Sequence, residues 1–418
     1  MAEKGDGQTI VLVDSYGSPT AAADLQKFHD TFFPGEPNPS FEQMFPFGAP
    51  DYKNVAKGNG QSGPAAAAGW AGEANLDIEW AYAIAPHAHL ILVAVPPAET
   101  EGVQGLPNMF KAISSLIDST PSGTVFSFSF GVTEQTFGGA AAVQTAKFDR
   151  VLQRGNDKGD TFFASSGDSG TLGLAKQHRD SVTYDFATGG WPASSPYVTS
   201  VGGTQLQYGW TWNPTTDIPF TAAGDYNADY FGWTAGGNHN VVWNESWLPA
   251  ATGGGPSVIY PRPSWQAGVL PAAGNHRLFP DLAWNAAVNG GVLVYTSFFP
   301  NANRVGWHIY GGTSAGSPQV AALTALATQR AGHGLGNINP RIYTAGGAWF
   351  TDVVATHQGA AGVISGDLIS NQMFDYNGDG LPVTWDSVSG WPVLPSYDMT
   401  TGWGTPNSAA YVAGLAAP

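Results

Sequence analysis

Short apolar runs alternate with helix-like segments through the first half of the chain. The runs are rich in β-branched and aromatic residues, and they predict strands at 10–13, 90–95, 124–128, 161–164 and 197–201. The spacing of apolar positions between them predicts helices near 21–33, 73–85, 108–117 and 140–152. Buried strands joined by helical crossovers are typical of a parallel sheet. We therefore expect an α/β fold in one large domain, with a mainly parallel sheet flanked by helices on both faces.

The alternation ends in the segment from about 205 to 264. Its sequence is rich in aromatic residues, glycine and asparagine, as at 208–212 and 225–230. Glycine and asparagine favour turns, so we expect inserted hairpins and long surface loops rather than a separate module. Exposed aromatic rings that bind carbohydrate are the alternative interpretation.

Charge and composition narrow the possible partners. Acidic residues outnumber Lys and Arg by 32 to 16, which gives a net charge of -16 at pH 7. A chain this acidic repels nucleic acid phosphates, so no nucleic-acid partner is expected. Few carboxylates can depend on ion pairs, which suits an acidic medium. Cysteine is absent, and the longest apolar run, 90–95, is too short to span a membrane.

A serine motif carries the clearest chemical signal. Residues 311–318 read GGTSAGSP and precede the apolar run 320–326. The glycines and Pro318 suit the start of a buried helix, which would place Ser314 in its first turn. A hydroxyl there lies near backbone N–H groups that favour developing negative charge. Ser314 is the candidate nucleophile, and a helix cap is the alternative.

The partners that a nucleophilic serine needs are less obvious. None of the nine histidines lies in a motif typical of a catalytic base, although His308 precedes Ser314 by six residues. Glu73 and Asp77 are four residues apart and share one helix face, either as a catalytic pair or as two solvated acids in a first helical turn. Asp168 follows the strand 161–164, where parallel sheets present their sites, or it forms a turn or cap.

Taken together, these residues resemble one family closely. The chain is similar to the sedolisins, or serine-carboxyl peptidases, from about residue 7 to 406. The matching segments are 7–14 (GQTIVLVD), the Glu73/Asp77 pair, 125–131 (VFSFSFG), 166–170 (SGDSG), 192–198 (PASSPYV), 201–204 (VGGT), 262–266 (RPSWQ) and the Ser314 motif.

The resemblance implies a subtilisin-like fold and a peptidase that works in acid. Ser314, Glu73 and Asp77 would form the catalytic triad, with Glu73 as general base and then general acid. Asp168 would lie in the oxyanion hole, where it must be protonated to donate a hydrogen bond. A carboxylate replaces histidine as base because an imidazole is charged in acid and cannot accept a proton.

The resemblance also implies supporting residues. Asp14 matches a position that supports the catalytic glutamate in part of the family. Ser127, Ser129, Phe130 and Gly131 match the strand whose backbone pairs with the substrate. Phe130 stands where relatives often carry tryptophan, so the shape of the nearby subsites is open.

A calcium site within 350–406 is a further implication of the resemblance. The expected ligands are carboxylates of two aspartates and carbonyl oxygens, from Asp352, Val353, Leu394, Ser396 and Asp398. A second calcium loop is suggested by spacing alone, with Asp375, Asn377, Asp379 and Asp386 at positions 1, 3, 5 and 12 of an EF-hand-like segment. A plain turn is the alternative for that segment.

The sequence therefore predicts an acid-acting serine-carboxyl endopeptidase that cleaves protein or peptide substrates through an acyl-enzyme on Ser314. Removal of tripeptides instead of internal cleavage stays open. The resemblance also implies a secreted monomer with a prosegment upstream of the segment in hand. Two alternatives remain: a neutral subtilisin-type peptidase with an unrecognised histidine, and a non-catalytic, calcium-stabilised binding protein on the same fold.

Overall fold

The computed structural model of the protein describes residues 2–52, 64–95, 99–175, 183–207, 239–245, 250–299, 304–355, 368–373 and 388–418. Its α-helices, in this part of the chain, are α1 (Ala21–Phe32), α2 (Pro64–Ile84), α3 (Leu106–Ser119), α4 (Ala141–Lys158), α5 (Thr313–Ala331), α6 (Asn339–Ala345) and α7 (Ser408–Ala416). Its strands are β1 (Thr9–Asp14), β2 (Ser40–Met44), β3 (His89–Ala94), β4 (Val125–Phe128), β5 (Val132–Thr133), β6 (Thr161–Ser165), β7 (Gly190–Trp191), β8 (Thr199–Gln207), β9 (His239–Val242), β10 (Asn244–Glu245), β11 (Ala250–Ala251), β12 (Gly255–Pro261), β13 (His276–Phe279), β14 (Leu282–Asn285), β15 (Val292–Thr296), β16 (Gly306–Tyr310), β17 (Phe350–Thr351) and β18 (Thr405–Pro406).

The central sheet has the strand order β14-β8-β6-β4-β1-β3-β2, and every neighbouring pair in that order is parallel. Strand β9 adds to β8 in the antiparallel direction. The expected α/β architecture, a mainly parallel sheet in a single domain, is confirmed.

Both faces of the sheet are covered, and β1 shows how the sequence achieves this. Ile10 and Leu12 pack with helices α1, α2, α5 and α7, whereas Val11 and Val13 pack with α3 and α4. Successive side chains of a strand point to opposite faces, so a strand buried on both sides is apolar at consecutive positions, as β1 is from Ile10 to Val13. All six residues of β1 are buried. The continuous apolar run was therefore a correct signal for a central strand.

Helix α2 differs from the expected element. It begins at Pro64, so Glu73 lies in the middle of the helix and not in its first turn. The helix dipole acts mainly on the first and last turns, so it does not account for the two acids. Asp77 is completely buried, which also rules out the interpretation of two solvated acids.

The described part of the segment 205–264 consists of short strands. Strands β8 and β9 pair at the sheet, β10 pairs with β11, and β12 pairs with β13. Residues 208–238 and 246–249 lie outside the described residues. Among the helices that are described, none has the length and apolar character that crossing a bilayer demands.

Candidate active site

Three strands of the sheet end beside one another and deliver polar residues to the same edge. Strand β1 ends at Asp14, β4 is followed by Ser129, and β6 is followed by Asp168. The carboxyl ends of parallel strands form the edge at which α/β proteins build their sites. Helix α2 packs on β1 and contributes Glu73 and Asp77.

Asp77 is held by a serine from a neighbouring strand end. The hydroxyl of Ser129 donates to the Asp77 carboxyl group, with oxygen distances of 3.0 and 2.8 Å. Asp14 is fully buried as well, and neither of its carboxyl oxygens accepts a hydrogen bond from the described residues. Glu73 is only partly buried, so it lies closest to solvent among these three acids. The structure thus brings Glu73, Asp77 and Asp14 together.

The environment of these acids favours their protonated forms. Desolvation is the main cause that raises the pKa of Asp77 well above its usual value, and the charges of Asp14 and Glu73 add to it. Desolvation and the charge of Glu73 raise the pKa of Asp14 in the same way. Interacting acids of this kind titrate as a set, so the cluster holds at least one proton well above pH 4.

Proton binding by this cluster is linked to folding. In the unfolded chain the aspartates titrate near pH 4, whereas their folded pKa values are raised. As the pH rises past that unfolded value, the unfolded state releases these protons while the folded state still holds them. In this range each further rise in pH lowers the free energy of unfolding. The contribution of the two groups to stability is therefore complete in acid and is lost as the pH rises through their folded pKa values.

Ser314 is the second residue of α5, as expected from the motif. Strand β16 leads into it, and Gly312 between them adopts a φ of +99°, which L side chains rarely adopt. Pro318 is the sixth residue of the helix and has no N–H to donate to the Ser314 carbonyl four residues earlier. Ser314 is partly exposed, so its hydroxyl is accessible at the start of a helix that is buried from Ala315 to Thr328.

Asp168 lies directly beside the serine motif. Its Oδ1 atom accepts hydrogen bonds from the backbone N–H and the hydroxyl of Thr313, at 2.8 and 2.7 Å. Its Oδ2 atom faces Gly312 so closely that a β-carbon there would lie 2.8 Å away. The residue is exposed to solvent at the cleft, yet desolvation of its carboxyl group by the surrounding protein raises the pKa of that group, against the hydrogen bonds from Thr313. With Oδ1 occupied as an acceptor, a proton on this group belongs on Oδ2.

A cleft of about 290 Å³ joins these residues. It is lined by Ser314, Thr313, Asp168 and the segment 129–131, which includes Phe130 and Gly131. Ser127, by contrast, is completely buried inside β4, which pairs with β1 on one side and β6 on the other. Its backbone has no free edge for a substrate, so the expectation that Ser127 binds substrate is wrong. Its hydroxyl instead shares a 2.8 Å hydrogen bond with Ser317 of α5.

Sequence reasoning missed the side chains that fix the hairpin of β15 and β16 to α2. Asn75 donates to the carbonyl of Tyr295 at 3.1 Å, Trp80 donates to the carbonyl of Leu293 at 2.9 Å, and Glu79 accepts from the Tyr295 N–H at 3.0 Å. This hairpin leads directly to Ser314. The sequence contained one signal for these contacts, namely the polar residues at alternate positions from 73 to 79 in a helix that is otherwise mainly apolar.

His308 has a structural explanation. Its Nε2–H donates to the carbonyl of Arg304 at 2.8 Å, and its ring packs on Phe299 with a centroid distance of 5.1 Å. His308 lies in β16, and both of its partners lie in the connection between β15 and β16.

The residues expected to bind calcium lie around one short loop, 394–398. Asp352 Oδ2 accepts from the Ser396 N–H at 2.8 Å, and Asp398 Oδ2 accepts from the Leu394 N–H at 3.1 Å. The structure thus brings both aspartates and the loop together. Of the second expected loop, Asp375, Asn377, Asp379 and Asp386 all lie outside the described residues.

Comparison with known proteins matches this arrangement to one family. The model of the subtilase family matches residues 5–345. Kumamolisin from Bacillus sp. (strain MN-32) is 31% identical over 65% of this chain and 42% of that protein. Sedolisin from Pseudomonas sp. (strain 101) is 31% identical over 62% of this chain and 35% of that protein. The chain therefore spans less than half of the length of these curated relatives.

A solved structure supports the fold assignment. This structure is that of Pseudomonas sedolisin, a serine-carboxyl proteinase complexed with two molecules of pseudo-iodotyrostatin. The superposition of the two proteins covers 99% of this chain and 93% of that chain. Its TM-score is 0.66 at 24% sequence identity, which supports a shared subtilisin-like fold. The chain belongs to the subtilase family, and within it to the sedolisins, the serine-carboxyl peptidases.

Proposed function

We propose that the protein is an acid-acting serine-carboxyl endopeptidase that hydrolyses peptide bonds in protein or peptide substrates. One observation carries the proposal. Asp168, a carboxyl group with a raised pKa, lines the same cleft as Ser314, while Ser129 of that cleft bonds to Asp77 in the acidic cluster. A peptidase that works in acid needs a protonated acid to stabilise the oxyanion and a carboxylate to act as the general base.

The reaction begins with attack of Ser314 Oγ on the scissile carbonyl carbon. Glu73 accepts the Ser314 proton, and Asp77 stabilises the protonated glutamic acid by sharing that proton. Asp77 is itself oriented by the Ser129 hydroxyl. Glu73 then returns the proton to the leaving amine, which departs and leaves the acyl group on Ser314. Water then attacks the acyl carbon while Glu73 accepts a proton from it. Glu73 passes that proton to Ser314 Oγ as the ester bond breaks, which releases the acid product and restores the free serine.

Asp168 stabilises the tetrahedral oxyanion. Thr313 fills Oδ1 with two hydrogen bonds, so the protonated Oδ2 donates to the oxyanion alongside the Ser314 N–H. Ionisation of Asp168 would replace this donor with a negative charge and repel the oxyanion. Activity is therefore expected to fall as the pH rises through the pKa of Asp168.

Incubation with a denatured protein near pH 4, followed by mass spectrometry of the products, tests this function. Internal fragments would support an endopeptidase, whereas release of tripeptides would indicate an exopeptidase. The absence of any product would favour the non-catalytic binding protein. The resemblance to the sedolisins also leads us to propose that the protein acts outside the cell.

We also propose one calcium ion, held by carboxylates of Asp352 and Asp398 and by the carbonyl oxygens of Val353, Leu394 and Ser396. Asp398 is completely buried, and its hydrogen-bond donors among the described residues are neutral groups of Leu394 and of 400–401. A buried carboxylate without a cationic partner suits a metal. Ser396 has a φ of +69°, a strained geometry for an L residue in a loop. No three Asp, Glu, His or Cys side chains converge on a metal site among the described residues, so carbonyls would complete the set.

Removal of calcium is expected to lower the melting temperature of this 418-residue chain by about 3 °C, because a ligand that binds only the folded state at 100-fold its Kd contributes about 2.7 kcal/mol. The measurement is thermal unfolding with a calcium chelator and after restoring excess Ca²⁺ or Mg²⁺. Recovery with Ca²⁺ and not with Mg²⁺, lost in Asp398→Asn, supports the site. An unchanged melting temperature contradicts it.

A further inference from the structure

Tyr310 connects the two helices that carry the catalytic residues. It is the last residue of β16 and lies four positions before Ser314. Its ring belongs to an apolar cluster with Leu76 of α2 and Ala315 of α5. The ring therefore packs against the helix of Glu73 on one side and the helix of Ser314 on the other.

The phenol oxygen of Tyr310 points to the residue next to Glu73. A β-carbon built on Gly72 would lie 2.2 Å from that oxygen, so only a glycine leaves room for it. The hydroxyl is thus pressed against the backbone that leads into Glu73. Filling the apolar cluster requires only the aromatic ring of Tyr310 and does not require a hydroxyl beside Gly72.

The charges around the phenol identify its neighbours. Burial is the main cause that raises the pKa of Tyr310 to about 12, followed by the charge of Glu73, with Glu79 adding to the effect and Arg304 opposing it. The phenol consequently keeps its proton throughout the acidic and neutral range and is available as a hydrogen-bond donor. Among the charges that act on the phenol, that of Glu73 has the largest effect.

We propose that Tyr310 is a positioning residue that donates a hydrogen bond to the Glu73 carboxylate and orients it toward Ser314. The inference rests on the proposed function of Glu73 as the general base. Asp14 from β1 and Asp77 from the same helix are coupled to Glu73, so that ionisation of either aspartate would oppose ionisation of the glutamate. A hydrogen bond from Tyr310 acts in the other direction, because a hydrogen bond to the charged form favours that form.

Tyr310→Phe tests the inference, since it removes the hydroxyl and keeps the ring in the cluster. We expect kcat to fall about 10-fold with KM nearly unchanged, and the acid limb of the kcat/KM profile to move up by about one pH unit, the size of a charged hydrogen bond of about 1.5 kcal/mol. The control is Tyr295→Phe, which removes a phenol from the opposite face of the same hairpin, where the ring packs on Trp307. Its profile should match that of the unmodified protein.

A second readout does not depend on turnover. Carboxyl carbon NMR of the protein with labelled glutamate, assigned with Glu73→Gln, follows the titration of Glu73 directly. Its midpoint should rise by about one pH unit in Tyr310→Phe and stay constant in Tyr295→Phe. An unmoved midpoint in Tyr310→Phe overturns the inference. Failure of the proposed function would appear differently, as an unmodified protein that cleaves no substrate while this titration is still measured.

Discussion

Replacement of Ser314 by alanine is expected to lower kcat by about 10⁴- to 10⁶-fold and to change KM by only a few-fold. The serine supplies the nucleophile that forms the acyl-enzyme, whereas the cleft that binds substrate, including the segment 129–131, remains intact. Residual hydrolysis would come from substrate binding and the oxyanion site alone. The measurement is steady-state cleavage of a peptide substrate near pH 4.

Ser317→Ala is the matched control for Ser314→Ala. It removes a hydroxyl from the same helix, three residues further on, where the side chain is buried and bonds only to Ser127 among the described residues. Loss of this buried hydrogen bond should cost about 1 kcal/mol of stability and leave kcat nearly unchanged. Equal activity of Ser314→Ala and the unmodified protein would contradict the nucleophile assignment.

Asp168→Ala is expected to lower kcat by about 10²- to 10³-fold, the usual effect of removing one oxyanion donor. The substitution also removes the acceptor of the two hydrogen bonds from Thr313, at 2.8 and 2.7 Å. Its thermal unfolding must therefore be measured in parallel, to separate lost catalysis from a displaced Ser314 motif.

Asp168→Asn keeps a hydrogen-bond donor at the oxyanion site but removes the group that titrates. Asparagine keeps an oxygen for Thr313 and places an N–H₂ donor at the position of Oδ2, and this donor does not ionise. We therefore expect a smaller loss in acid than for Asp168→Ala and an alkaline limb that moves to higher pH. An alkaline limb at the same pH in Asp168→Asn would show that another group controls it.

The elements best predicted from sequence are those whose burial is uniform. Strand β1 is buried along its entire length, and its apolar run identified it without ambiguity. The start of α2 was missed because residues 64–72 are mainly alanine and glycine, which give no amphipathic pattern. The edge strand β2 alternates exposed and partly buried residues, and β14 has only four residues, so neither produced a clear apolar run.

The candidate site was predicted unevenly, for physical reasons. The spacing of Glu73 and Asp77 shows that they share a helix face, but it does not show which surface covers that face. The partner that makes the pair a buried site, Ser129, comes from a strand end 52 residues away from Asp77. The roles of these residues came from the family resemblance, and their depth of burial and the raised pKa values came from the fold.

The close coupling of Asp168 to Thr313 was also not predictable from sequence. The two residues are 145 positions apart, and their contact depends on β6 and the β16–α5 junction reaching the same edge of the sheet. Gly312 gave a partial signal, since a glycine before a helix start often permits close approach. The structure shows what approaches it, namely Oδ2 of Asp168.

The pH dependence of kcat/KM between pH 3 and 8 tests the carboxyl-based mechanism most directly, because this profile reports the pKa values of the essential base and acid in the free enzyme. The account predicts a bell-shaped profile with its maximum in acid, where Glu73 is ionised and Asp168 still holds its proton, and with little activity at pH 8. A profile that rises through pH 6 to 7 and stays high at pH 8 would contradict it, since that behaviour belongs to a histidine base.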